Sequence, residues 1–445
     1  MSSALPSDTS LFKADASSGT SSPSALPSEF ALDLPVPQDL SHQAEQTYQI
    51  DLDQRVMRHV DTQLIHAGRD PSLYGGMVNT PVFRGSTIMA DNLDDWEAGR
   101  QTDNPMAKYG RFGTPTTRSF EQAITTLEGG DHALVFPSGL SACTHSIMAF
   151  VQVGDHVLIT DSAYGPTRTF AERVLRRMGV EVEFFDPLIG GEIRQLIRSN
   201  TRVVFVESPG SWTFEVQDIP AIAEEAHKVG AYVLMDNTWA TPLYFKPFEH
   251  GVDVSIHAAT KYIVGHSDAL LGVASANQRA WPILKQGAHD FGQTAGPDDI
   301  YLALRGMRSM AVRLRQHWDS GMQLAEHLVT QPLVERVLHP ALPSDPGHQL
   351  WKRDFLGASG LFTIELKPIG RPAFASFFES LQLFGIGLSW GGYESLALPI
   401  DKPPTRVASR KTYQNPLVRI HVGLENIDDL KRDMDRAFKC MERAL

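Results

Sequence analysis

The sequence contains only two cysteines, Cys143 and Cys440, almost 300 residues apart. That excludes a disulfide framework and a paired-cysteine metal site, and it fits a reducing, cytoplasmic setting. Basic charge is also scarce: 40 Lys+Arg stand against 52 Asp+Glu, a formal net charge of −12. The positive field that nucleic acid or an anionic membrane surface demands is missing, so any phosphate site must be local. No run of about 18 apolar residues occurs, so no transmembrane helix is expected. Also missing are G-x-G-x-x-G, G-x-x-x-x-G-K and H-E-x-x-H, which argues against a nicotinamide-binding Rossmann site, a P-loop and a zinc protease. No metal ligand set is expected.

The chain has 445 residues, 42% of them hydrophobic, enough for a large core and more than one domain. The first fifty residues hold 11 Ser, 5 Pro and one Lys, and Ala-Leu-Pro-Ser occurs twice, at 4–7 and 25–28. Residues 1–47 therefore read as a disordered tail that cannot bury enough apolar surface to offset ordering entropy. It has no Arg and carries acids such as Asp8 and Glu29, unlike a transit peptide.

From about residue 114, short apolar runs alternate with helical stretches: HALVFPSG (132–139), DHVLITD (155–161), VEVEFFD (180–186), RVVFVESPG (202–210), AYVLMDNT (231–238) and VDVSIHAATK (252–261). Such runs are buried parallel strands, and the series predicts an α/β sheet covered by helices on both faces. A long helical stretch is expected from Tyr301 to about Thr330, followed by a smaller α+β domain with strands at 361–366 and 417–424. Ligands of open α/β sheets sit beyond the carboxyl ends of the strands. This points to Ser138-Gly139, Asp161 to Tyr164, Ser208 to Ser211, Asp236-Asn237 and Lys261. Asp236 and Lys261 end neighbouring runs. As an isolated pair they are an ordinary salt bridge; at one ligand they suit pyridoxal phosphate, which needs an amine for its aldehyde and a carboxylate for its pyridine nitrogen.

The surrounding residues decide between these readings. DVSIHAATKYIVGHSD (253–268) resembles the lysine segment of the Cys/Met-metabolism family of pyridoxal-phosphate (PLP) enzymes. The resemblance extends from about His66 to the C-terminus through YGRFGTPT (109–116), ESPGSWTFEV (207–216), DNTWA (236–240), SWGGYESL (389–396) and RIHVGLEN (419–426). It implies an aspartate-aminotransferase-like fold (PLP fold type I), with residues 48–111 serving a neighbouring subunit's site, 112–307 as the PLP-binding domain and 308–445 as the small domain. It further implies that Lys261 binds the cofactor and moves protons, that Asp236 faces the ring nitrogen and that Tyr164 stacks on the ring. Thr260 and the backbone of Gly139 and Leu140 would hold the phosphate. Tyr109 and Arg111 would reach the same phosphate from a second copy of the chain, as a homodimer or homotetramer. Arg419, Ser389 and the backbone of Trp390 would hold the carboxylate of an amino-acid substrate. Many relatives have Ser three residues before the lysine, where this chain has Ala258; one phosphate donor is lost.

Within the family, γ-acting members typically have an asparagine after the E-[ST]-P turn, an acidic residue before the Ser-Leu-Gly-Gly segment, or a cysteine two residues after the stacking tyrosine. Here these positions hold Ser211, Leu388 and Pro166. The departures imply β-elimination of cystathionine to homocysteine, pyruvate and ammonia, with Leu388, Trp390 and Ser211 forming an apolar wall. A γ-acting enzyme and a catalytically idle binding protein are the alternatives. His257 and His266 read as structural, Asn237 and Trp239 as packing near the site.

Overall fold

The computed structural model describes residues 58–98, 109–400, 406–409 and 413–445. The tail at 1–47 lies outside them. Two sheets organise the chain. The larger contains β1 (His132–Phe136), β2 (His156–Thr160), β3 (Glu181–Phe185), β4 (Thr201–Glu207), β5 (Tyr232–Asp236), β6 (Val254–Ala258) and β7 (Gly272–Ala276). Their order is β1-β7-β6-β5-β4-β2-β3, and only β7 runs against its neighbours. The smaller sheet is antiparallel, in the order β10 (Leu396–Ile400), β11 (Leu417–His421), β9 (Leu361–Leu366), β8 (Val334–Leu338). The helices of ten residues or more are α1 (Pro115–Glu128), α2 (Gly139–Ala149), α3 (Ile219–Lys228), α4 (Trp281–Asp290), α5 (Pro297–Arg308), α6 (Met310–Val329), α7 (Arg371–Ser380) and α8 (Ile427–Arg443).

Strand alternation explains the layering. Val204, Val233 and Met235 turn to one face of the large sheet and pack with Ile222 and Ala226 of α3. Their neighbours Phe205 and Leu234 turn to the other and pack with Ala142 and Ile147 of α2. Both faces are buried, so the strands are apolar throughout, as parallel strands with helices on both sides must be. In the small sheet, Ile364 and Ile420 pack under Phe374 and Phe377 of α7 and Met434 and Phe438 of α8.

The α/β reading is borne out, and the stretch from Tyr301 to about Thr330 is helical, divided into two helices. α5 and α6 break at Ser309, whose hydroxyl donates to the Gly306 carbonyl (3.1 Å) and accepts from Arg313 Nε (3.1 Å). Side-chain competition of this kind interrupts helical hydrogen bonding without any change in apolar period. At Gly306 a Cβ would fall 2.1 Å from the Val264 carbonyl oxygen, so the break seats α5 against the chain that follows Lys261. Among the described residues no helix is long and apolar enough to cross a membrane.

Candidate active site

Six strands of the large sheet end on one edge, and the candidate residues gather there. In the β4–β5 register Glu207 lies opposite Asp236. The Asp236 carboxylate is fixed by the Thr238 N–H (3.0 Å) and approached by the Cys143 thiol (3.6 Å). Thr238 Oγ1 accepts the Ala258 N–H (2.9 Å), which ties the end of β5 to the end of β6, just before Lys261.

Lys261 Nζ donates to Ser389 Oγ at 2.7 Å and lies 5.2 Å from the centre of the Trp390 ring. Burial, aided by the nearby Arg419 charge and opposed by Asp236, pushes its pKa down to about 8. An amine tuned this way can give up and regain a proton near neutral pH. The loop that brings Ser389 is gripped from β11: Arg419 Nη2 donates to the carbonyls of Leu388 (2.5 Å) and Ser389 (3.2 Å), and His421 Nε2 accepts the Gly391 N–H (3.1 Å). Gly391 has φ +90°, and a Cβ there would lie 2.9 Å from the Lys261 backbone, so the loop packs directly on the lysine. Burial drives His421 down to about 3, so its imidazole is neutral at physiological pH.

Arg419 is 8% exposed, and among the described residues its hydrogen bonds go to carbonyls rather than to a carboxylate. Burial lowers its pKa to about 10. A buried cation without an anionic partner is costly unless a ligand supplies one. Tyr164, 44% exposed, presents its ring to the same space, while its N–H donates to Glu207 Oε2 (2.6 Å). Burial, with Cys143 and Glu207 adding to it and Arg419 opposing, raises the phenol's pKa. Glu207 is raised well above the carboxylate range by burial first and by Asp236 second. A second buried carboxyl at the adjacent strand end favours the protonated form of Glu207.

At the start of α2 the Ser138 side chain accepts the Ser141 N–H (3.1 Å), and the first intrahelical bond is Ala142 N to Ser138 O (3.0 Å). The N–H groups of Gly139 and Leu140 precede it and are presented at a helix N-terminus, where anions are favoured. A Cβ on Gly139 would stand 2.4 Å from Ala258 Cβ. The missing side chain at Gly139 lets the helix end approach the β6 edge at Ala258. Thr260 Oγ1 donates to the Leu271 carbonyl (3.2 Å) and accepts its N–H (2.9 Å), which fixes the turn before Lys261.

The structure does not bring every candidate together. Tyr109 is 46% exposed, and Arg111 Nη1 donates to the His289 carbonyl (3.1 Å) with its guanidinium over Phe112; among the described residues neither bonds to Lys261, Asp236 or Tyr164 of its own chain. Leu388 is 81% exposed and Ser211 gives its carbonyl to Arg406 Nη2 (3.1 Å), so the expected apolar wall is not formed by Leu388; only its carbonyl faces inward, to Arg419. His257 pairs with buried Glu128, His266 with the Val264 carbonyl (2.7 Å), and Trp239 Nε1 with the Leu361 carbonyl (3.0 Å), all structural. Sequence reasoning missed Glu207, Cys143 and Arg406. Glu207 had a readable signal, an acid closing a buried strand as Asp236 does; Arg406 had none, because its contacts span about two hundred residues.

A buried amine of lowered pKa, a carboxylate at the adjacent strand end, an aromatic ring and a helix N-terminus with a glycine cradle fit pyridoxal phosphate. Residues 61–439 match the family described as Cys/Met metabolism PLP-dependent enzyme. A protein of Rhizobium johnstonii is 49% identical over 383 residues, 85% of this chain and 96% of its own. Cystathionine beta-lyase MetC of Escherichia coli is 44% identical over 388 residues, 86% of this chain and 98% of its own. Among solved structures, metB from Corynebacterium glutamicum aligns with a TM-score of 0.79 at 30% identity, over 86% of this chain and 99% of that one. A match that runs through both sheets and every candidate residue from Tyr109 to Arg419 makes this chain a member of the Cys/Met metabolism PLP-dependent enzymes.

Proposed function

We propose that the chain is a carbon–sulfur lyase that cleaves cystathionine by β-elimination to homocysteine, pyruvate and ammonia, and that it accepts other cysteine S-conjugates. The observation that carries the reading is the joining of base and anchor through one loop. Lys261 Nζ is 2.7 Å from Ser389 Oγ, and Arg419 holds that loop by its carbonyls while offering the rest of its guanidinium to a carboxylate. Relatives named cystathionine beta-lyase, 44% and 43% identical over 388 residues, support the same reaction.

Lys261 would bind the cofactor's aldehyde, Asp236 its ring nitrogen, Tyr164 its face, and Thr260 with the N–H groups of Gly139 and Leu140 its phosphate. Bound there, pyridoxal phosphate supplies an electron sink for the pair left at the substrate's Cα. Arg419, with Ser389 and the Trp390 backbone, orients the substrate by its carboxylate so that Cα–H faces Lys261. Lys261 Nζ takes that proton and returns one to the departing sulfur, and the Ser389 hydroxyl keeps the amine aimed between transfers. Charges placed before the reaction spare reorganisation during it.

Division of labour follows: residues 112–307 hold the cofactor, residues 308–445 the substrate carboxylate, and Tyr109 and Arg111 complete the phosphate site of a second copy in a dimer or tetramer. A cytoplasmic setting fits the unpaired cysteines.

The test is the identity of the oxo acid. From cystathionine, β-cleavage yields pyruvate with homocysteine and γ-cleavage yields 2-oxobutyrate with cysteine. We expect pyruvate to dominate and Lys261→Ala to abolish it; an excess of 2-oxobutyrate would move the enzyme to the γ-acting branch.

A further inference from the structure

We propose that Trp212 is a positioning and specificity-determining residue, whose indole face carries the Arg419 guanidinium and so sets how tightly the site holds a substrate's α-carboxylate. The inference rests on the reading of Arg419 as the carboxylate anchor. The guanidinium lies 4.8 Å from the centre of the Trp212 ring, and its Nη2 edge is taken by the Leu388 and Ser389 carbonyls. One edge and one face are thus occupied by groups that carry no net charge. An acidic partner would hold the arginine equally well but would neutralise it and compete with the substrate. An aromatic face holds the cation, most strongly where water is excluded, and leaves its charge for the ligand.

The chain around Trp212 is built for this presentation. Trp212 and Phe214 have left-handed backbones, with φ of 72° and 57°. A bulky residue in that region is strained and persists only where its surroundings fix it. They do so on both sides. Ser211 N–H donates to the Ser162 carbonyl (2.8 Å) and Phe214 N–H to the Gly210 carbonyl (3.0 Å). Arg406 Nη2 donates to the Ser211 carbonyl (3.1 Å) and to Thr213 Oγ1 (2.7 Å). At Gly210 a Cβ would lie 2.5 Å from Ser162 Cβ, so this turn packs against the segment that ends in Tyr164. The turn sends Phe214, 2% exposed, into the core beside Ile219 while Trp212 stands up to Arg419.

The experiment compares L-alanine with ethylamine, which lacks the carboxylate, as ligands of the holoenzyme, read from the change in cofactor absorbance. Trp212→Leu keeps bulk and loses the aromatic face. It should weaken L-alanine about 2- to 30-fold and leave ethylamine unchanged. Trp212→Phe should retain most of the affinity. Equal weakening of both ligands, as damage to the fold would produce, or no weakening of either, overturns the role of Trp212. Arg419→Lys serves as the separate control: if it binds L-alanine normally, the anchor reading itself fails; if it loses L-alanine while Trp212→Leu does not, only the present inference does.

Discussion

Lys261 is the residue on which the chemistry turns, and its tuning has two identifiable sources: burial with Arg419 on one side and Asp236 on the other. In the cofactor-free protein the amine should therefore react with an acylating reagent at half its limiting rate near pH 8, well below an exposed lysine. Below that pH the amine is protonated and unreactive, and above it free. Removing the positive charge, as in Arg419→Gln, should move this midpoint upward, because a like charge no longer disfavours protonation; competitive labelling with mass-spectrometric readout measures both. At Glu207 the expectation concerns charge. If the neutral acid accepts the Tyr164 N–H, Glu207→Gln preserves the acceptor and should retain cofactor as the parent does. Glu207→Ala, which leaves that N–H without a partner, should bind it several-fold more weakly. A Gln variant as poor as the Ala variant would mean that Glu207 works as an anion.

Among the elements, α2 and β11 set the geometry. α2 reaches the β6 edge only because residue 139 lacks a side chain: Gly139→Ala would place its methyl 2.4 Å from Ala258 Cβ. Overpacking of that size costs about 1–3 kcal/mol, and here it would also push the helix N-terminus away from the phosphate position. Thermal melts of the cofactor-free protein and equilibrium dialysis of the cofactor should show both losses. In β11, alternate residues Arg419 and His421 turn inward to grip the same loop, so two side chains of one strand fix Ser389 against Lys261. The alternation was legible in RIH, and the family string SWGGYESL set Ser389 beside Arg419; the bond from Gly391 to His421 was not legible, because it joins segments about thirty residues apart.

At the scale of the whole molecule, the site is assembled from both sheets, and the single chain leaves Tyr109 and Arg111 on other partners. If they serve a second copy, mixing Lys261→Ala with Arg111→Ala under subunit exchange should restore activity, since some hybrid sites carry neither lesion. No recovery after exchange verified by mass would refute the shared site. The test requires that each variant be inactive alone, Lys261→Ala through loss of the amine and Arg111→Ala through loss of the phosphate contact.

Local sequence determined the strand series, the acid and amine that close β5 and follow β6, and the family strings around Lys261 and Arg419. These are properties of neighbours in the chain: apolar runs, turn residues and motifs with fixed spacing. Tertiary structure alone decided the rest. Ser309 breaks a helix that apolar period continues, Glu207 meets Asp236 only because β4 and β5 are adjacent, and Leu388 faces outward although its neighbour Ser389 meets Lys261. Trp212 reaches Arg419 across about two hundred residues through a left-handed turn held by Arg406. Such contacts depend on packing between distant segments and on which backbone groups lose their water, and a reading along the chain holds neither.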